Sequence, residues 1–188
     1  MKILINPGHA PGIDSGAVNF DYNLQECHVA LEIGKRVADY LNEAGGYEVW
    51  LHQSDNIEGE GYYDYEDSIV GQANNGQFDF FVSIHCNASA DGEAYGTETL
   101  VYGLGGVAAK LAGHIQKNII NTIGTYDRGV RVRKDLAVLR DTDMPAVLVE
   151  TAFIDNVYDV QCLLHCTDDF AKAIALGITD YVAEVSHE

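Results

Sequence analysis

No apolar run in these 188 residues approaches the roughly 20 needed to cross a bilayer, so no membrane span is expected. Paired Cys-x-x-Cys knuckles are missing as well. The four cysteines are Cys27, Cys86, Cys162 and Cys166. They suggest neither a knuckle-type structural zinc site nor a disulfide framework. Cys162 and Cys166 flank His165, which would suit a metal, but their helical spacing is met more simply by burial on one helix face. Positive charge is scarce, with 11 Lys and Arg against 29 Asp and Glu and a net charge of −18. That balance argues against nucleic acid and anionic membranes as partners and fits a solvated acidic surface. No arginine occurs between Arg36 and Arg128, after which Arg128, Arg131, Arg133 and Arg140 crowd together with Lys134. There is no internal repeat and no linker long enough to divide the chain, so one domain over 1–188 is expected. Met1 leads straight into an apolar run, with no leader peptide visible before it.

What is present is an alternation of strand-like and helix-like segments. Lys2 to Ile5 reads as a buried strand, ended by Pro7 and Gly8, with His9 the first side chain beyond that can do chemistry. A loop rich in Pro, Gly and Ser follows. A long helix is predicted from about Leu24 to Ala44, with Asn23 as N-cap and Glu26 three residues on as capping-box partner. Further strands are expected at Tyr47–His52, Phe78–His85, Thr97–Tyr102 and Ala146–Val149, with Glu150 closing the last. Helices are expected at about Asp64–Asn75, Val107–Ile123, Asn156–Leu164 and Asp169–Val185, and Val130–Leu139 reads as a basic segment with short strand-like pieces. This order implies an α/β fold, a three-layer α/β/α sandwich on a mostly parallel sheet.

Three of the strands end in residues able to hold a ligand: His9, His85 and Glu150. Parallel strands would bring those ends to one edge of the sheet, where open α/β folds place their sites. The long helix starts at the same edge. At about 100° per residue, Glu26 shares a stripe with Ala30, Ile33, Val37 and Leu41, so its carboxylate points toward the core. A buried carboxylate without a partner is costly, and a divalent metal would remove the cost. Two histidines and one carboxylate, with a position left for water, are a common ligand set of catalytic zinc. A second carboxylate off the metal can move the water's proton, and Glu150 is the candidate. Taken singly, His9 suits a turn, His85 a strand end, Glu26 a capping box and Glu150 a salt bridge. Their convergence favours a metal site. His52 is a reserve ligand, while His28, His114, His165 and His187 read as structural or solvated.

The motifs resemble a known family. Asn6-Pro7-Gly8-His9, Asp14-x-Gly16-Ala17 and Glu26 at a helix start are similar to the opening of the zinc-dependent N-acetylmuramoyl-L-alanine amidases (amidase type 3). Ser83-Ile84-His85-Cys86-Asn87-Ala88 resembles their second histidine motif. Asp127-Arg128-Gly129-Val130, Val138-Leu139-Arg140 and Met144 to Glu150 follow in the family's order, then Phe153-Ile154-Asp155-Asn156. The likeness runs from about Lys2 to Val182.

The resemblance implies a six-stranded sheet and one Zn2+ per chain held by His9, Glu26 and His85, with Glu150 as catalytic base. It implies that the substrate is bacterial peptidoglycan, cut between N-acetylmuramic acid and L-alanine. The enzyme would then act at the cell wall, outside the cytoplasm, as an autolysin, an endolysin or a sporulation enzyme. Arg128, Arg131, Arg140 and Asn87 are candidates for substrate binding, and Tyr62, Tyr63 and Tyr65 for a groove. A zinc carboxypeptidase or deacetylase, or an inactive wall-binding domain, are the rival readings. Asn6 stands where many relatives have Asp, so an orienting role for residue 6 toward His9 would be uncharged. Cys86, beside His85, is either a packing residue or an alternative sulfur ligand. The short span between the second and third motifs leaves little room for an inhibitory helix, so an open site is expected.

Overall fold

A computed structural model describes residues 1–59 and 64–186. Six strands form one sheet: β1 (Lys2–Pro7), β4 (Glu48–Leu51), β5 (Phe80–Asn87), β6 (Thr97–Val101), β7 (Asp127–Val132) and β8 (Ala146–Phe153), in the order β4-β1-β5-β8-β6-β7. Neighbours among β4, β1, β5 and β8 are parallel. β6 runs antiparallel to β8, and β7 runs parallel to β6. The expected mostly parallel α/β/α architecture is therefore present, with two reversed strands on one side.

The helices divide unequally between the two faces. α1 (Glu26–Ala44), α3 (Gly106–Ile123) and α6 (Thr167–Val185) pack around one core. There the inward side chains of the sheet, among them Ile3, Ile5, Val82, Ile84, Val147 and Val149, meet Ile33, Ile115 and Ile174. The stripe Ala30, Ile33, Val37 and Leu41 of α1 is fully buried, as helical periodicity requires. α3 and α6 approach so closely that a Cβ on Gly177 would stand 2.5 Å from the Cα of Ile115. The other face carries α2 (Ile69–Asn75) and α4 (Ala137–Arg140), which cover a smaller core of Leu4, Phe81, Leu100 and Leu148. A short helix α5 (Asp159–His165) follows β8. No described helix is long and apolar enough to cross a membrane.

Several boundaries differ from those expected. α1 starts at Glu26 with Gln25 as N-cap and no side-chain cap. Asn23 has φ 51° and sits in the turn of a hairpin between β2 (Val18–Asn19) and β3 (Leu24–Gln25). The capping box is absent because the Glu26 carboxylate is engaged elsewhere. Residues 65–67 form a separate 3-10 turn, and Ser68 caps α2 by accepting a hydrogen bond from the N–H of Gly71 at 2.9 Å. β5 runs past His85 to Asn87 with a register shift, and β8 runs past Glu150 to Phe153. Glu150 thus lies inside its strand instead of closing it. Cys162 lies in α5 and Cys166 between α5 and α6, both partly buried against the main core.

Candidate metal centre

Strand alternation decides which side chains reach the thinly covered face. On β5, Phe81 belongs to the smaller core and Val82 and Ile84 to the larger one, so His85 leaves on the thin side. The same alternation places Glu150 with Leu148, and Asn6 with Leu4. Cys86 points the other way, into the main core, with its Sγ 3.6 Å from the Thr151 hydroxyl. It is a packing residue, and burial raises its thiol pKa further.

His9, Glu26 and His85 meet at the carboxyl edge of β1 and β5. One ligand atom from each lies within 4.8 Å of the others. His9 Nε2 stands 3.1 Å from Glu26 Oε2, and His85 Nδ1 stands 2.9 Å from Glu26 Oε1. The Glu26 carboxylate also accepts hydrogen bonds from the N–H of Ala17 at 2.9 Å and of Cys86 at 3.0 Å. Burial alone would raise the Glu26 pKa, but the bonds to His85 and His9 outweigh it and hold the group below the usual carboxylate range. The hydrogen bond to Glu26 pushes His9 up to about 9, against the opposing effect of burial and with help from Asp14.

The local backbone serves this arrangement. His9 has φ 61°, a left-handed conformation that few non-glycine residues adopt. Its ring is held from behind by Asp14, with Nδ1 2.6 Å from the carboxylate. With Nδ1 facing Asp14, Nε2 is the ring nitrogen that faces Glu26, and once it gives up its proton it would be free to bind a metal. Gly16, at φ 63°, passes so near that a Cβ there would stand 2.5 Å from Glu26 Oε2. Two imidazoles, a carboxylate and an outer carboxylate fixing one imidazole form a donor set that fits a zinc ion.

Glu150 is the register partner of His85 on β8. Its Oε2 is buried with no hydrogen-bond partner among the described residues. Burial raises this carboxyl to about 7, opposed by the attraction of His85. A cavity of about 280 Å³ opens over the cluster, between His9, His85 and Asp14 on one side and Ile57, Leu136 and Val138 on the other.

The remaining expected residues fall around this centre or away from it. Asn6 does not touch His9: its amide donates to the carbonyls of His52 and Pro7, and its oxygen accepts from Ser83. Asp14 orients His9 instead, and the signals for it in the sequence are its place in the loop after His9 and in the Asp14-x-Gly16-Ala17 motif. His52 has a buried Nε2 without a partner among the described residues and stands outside the cluster. Asn87 and Arg128 both bond to Glu98, a residue the sequence reading did not single out. Arg140 is held by Asp141 and Glu58. His114 pairs with Glu184 and His28 is exposed. Tyr65 is exposed, whereas Tyr62, Tyr63 and His187 lie outside the described residues.

Fold and cluster together define a class: an α/β/α domain with a His/Glu/His candidate metal centre at the carboxyl edge of a mostly parallel sheet. A family model described as N-acetylmuramoyl-L-alanine amidase matches residues 3–180, and the chain belongs to that family. It is 38% identical over 184 residues to the N-acetylmuramoyl-L-alanine amidase LytC of Bacillus subtilis, covering 95% of this chain and 35% of that protein. It is 33% identical to the endolysin of Bacillus phage SPP1, covering 97% of this chain and 65% of that one. The chain thus spans about a third of one of these curated relatives and just under two thirds of the other. Among solved structures, the catalytic domain of the amidase CwlV from Bacillus (Paenibacillus) polymyxa superposes with a TM-score of 0.83 at 30% identity, covering 97% of this chain and 98% of that one. An N-acetylmuramoyl-L-alanine amidase from Clostridium difficile gives a TM-score of 0.82 at 29% identity, covering 97% and 96%.

Proposed function

We propose that this chain is a zinc-dependent hydrolase of bacterial cell walls, a single catalytic domain over 1–188 that cleaves the amide between N-acetylmuramic acid and L-alanine. The observation that carries the reading is the placement of Glu150. It sits beside a complete His/Glu/His donor set, one strand away from His85, with an oxygen that has no partner among the described residues. Family membership supports the choice of bond.

In this reading His9, Glu26 and His85 hold one zinc per chain through the atoms that already face one another. Bound there, zinc supplies Lewis acidity that makes water a better nucleophile and polarises the scissile carbonyl. The chain's own residues do the rest. Asp14 keeps the His9 proton on Nδ1, so that Nε2 stays available. Glu150 takes the proton of the attacking water and returns it to the departing alanine nitrogen. Burial, which raises this carboxyl to about 7, keeps its carboxylate basic enough for both transfers. Asn87, Arg128 and Arg140 are the substrate-binding candidates on the same side of the sheet, and the site of action is the wall, outside the cytoplasm.

Glu150→Gln tests the assignment. Release of L-alanine amino termini from purified walls should fall by about 10²- to 10⁴-fold while zinc stays near one per chain. Full activity in this variant would overturn the mechanism. Release of free carboxyl-terminal amino acids or of acetate, in place of new L-alanine termini, would turn the reading to a carboxypeptidase or a deacetylase. Wall binding without any release would turn it to a binding module.

A further inference from the structure

The row of polar side chains continues beyond Glu150. Its register partner on the far side is Glu98 of β6, so the Glu98 side chain leaves the sheet on the same open face. Glu98 is only 7% exposed, and residues from two other strands converge on it. Its Oε1 accepts from Asn87 Nδ2 at 3.0 Å, while Oε2 accepts from Arg128 Nε at 2.8 Å and lies 3.2 Å from Arg131 Nε. The next register position, on β7, is Gly129, which adds no side chain to the row.

The manner of this pairing separates Arg128 and Arg131 from the other arginines of the cluster. Arg133 grips Asp135 with two nitrogens, at 2.9 and 2.8 Å, and Arg140 grips Asp141 in the same two-pronged way. Each of those guanidiniums is thereby neutralised by a carboxylate of its own segment. Arg128 and Arg131 are instead tethered to Glu98 through Nε. Arg128 Nη1 also donates to the carbonyl of Tyr95 at 3.3 Å, and Arg131 Nε to the carbonyl of Arg128 at 3.1 Å. Among the described residues, Nη2 of Arg128 and both Nη of Arg131 have no hydrogen-bond partner. Two guanidiniums on one carboxylate leave one positive charge in excess, in a chain of net charge −18. A guanidinium fixed along one edge and open at its terminal nitrogens is suited to a carboxylate.

We propose that Glu98 is a positioning residue that holds Arg128 and Arg131 as an anchor for a free carboxylate on the substrate's peptide stem. The inference rests on the amidase reading and adds a preference to it. Adjacent strands are about 5 Å apart and an extended peptide advances about 3.3 Å per residue, so arginines carried by β7, two strands from Glu150 and reaching back to Glu98, lie about two to three residues from the bond next to Glu150. Stems with a free carboxylate at that point should be favoured over stems in which it is amidated.

The test uses pairs of soluble muramyl peptides that differ only in a free or amidated stem carboxylate. The intact chain should show a KM about tenfold lower for the free acid, with similar kcat. Arg131→Ala, a change at a half-exposed side chain, should bring the two KM values together, and Glu98→Gln should do the same. Arg36→Ala, far from the site and paired with Glu32 and Asp168, should keep the preference. Binding of the same pairs to Glu150→Gln, followed by calorimetry, reads the anchor without turnover. Equal affinity for acid and amide, or equal losses on both in Arg131→Ala, would overturn the anchor even if the chain is an amidase. Failure to cleave either peptide, with the binding preference intact, would count against the amidase reading alone.

Discussion

The two faces of the sheet differ in how much helix covers them. One carries α1, α3 and α6, of 19, 18 and 19 residues. The other carries α2 and α4, of 7 and 4. On the covered face the strand side chains are mostly apolar and closed from solvent, with the buried threonines Thr97, Thr99 and Thr151 hydrogen-bonded among them, down to the contact of Gly177 with the backbone of Ile115. On the thin face the helices stop short of the carboxyl edge. There His85, Glu150 and Glu98 replace apolar residues in the same side-chain rows as Phe81, Leu148 and Leu100. Stability is concentrated on one side of the sheet and chemistry on the other, which lets polar groups stay buried enough to be perturbed without disturbing the main core.

This contrast can be tested by mutation. Phe170→Ala on α6 removes a fully buried ring from the thick side and should cost about 3–5 kcal/mol of unfolding free energy. Val138→Ala on α4 should cost only about 1–2 kcal/mol, and chemical denaturation of both variants checks the ratio. A smaller effect is expected at the site itself. Asp14→Ala should leave folding nearly unchanged, since Asp14 is half-exposed, but weaken zinc binding by about 10- to 100-fold in a competition titration.

A pH effect is also expected in the metal-free protein. Burial holds the Glu150 carboxyl at about 7, above its ordinary 4.5. Between those two values the folded chain keeps a proton that the unfolded chain has lost. Stability therefore falls as pH rises through that window, by on the order of 3 kcal/mol. Glu150→Gln should flatten this slope when unfolding is followed from pH 4 to 8, whereas Val37→Ala on the thick face should lower stability equally at every pH. The smallest effect is expected from salt. Repulsion between a chain of net charge −18 and an anionic wall should weaken as ionic strength rises, so wall hydrolysis by this chain should increase severalfold between about 10 and 150 mM salt.

The centres of most elements are legible in the sequence, and their ends are not. Ile3–Ile5, Phe80–Ile84 and Ala146–Val149 are short apolar runs that only buried strands explain, and they lead directly to His9, His85 and Glu150. The helical stripe on α1 likewise gives Glu26 its inward direction. The capping box fails because Asn-x-x-Glu can also arise where a hairpin turn precedes a helix and the glutamate has other partners. β5 and β8 run past their polar residues because Glu150 and His85 can stay in the ladder while their side chains leave the thin face. The reversal of β6 carries no local signal, since Thr97–Val101 is buried on both faces and loses the alternation that marks a half-exposed strand. Glu98 goes unnoticed for the same reason: its role depends on which strands lie beside it.

The reversal of β6 and β7 also bears on how such a site can diversify. His85 lies near the end of its strand and His9 just beyond the end of β1, but Glu98 and Arg128 lie at the beginnings of theirs. The segments that deliver them, residues 88–96 and 124–126, are therefore entrances to strands, and neither contains a residue of the His9, Glu26 and His85 cluster. Lengthening or exchanging those two segments would reshape what the domain recognises while leaving the residues that would perform the cleavage in place. Recognition and reaction can then be altered as separate modules within one sheet.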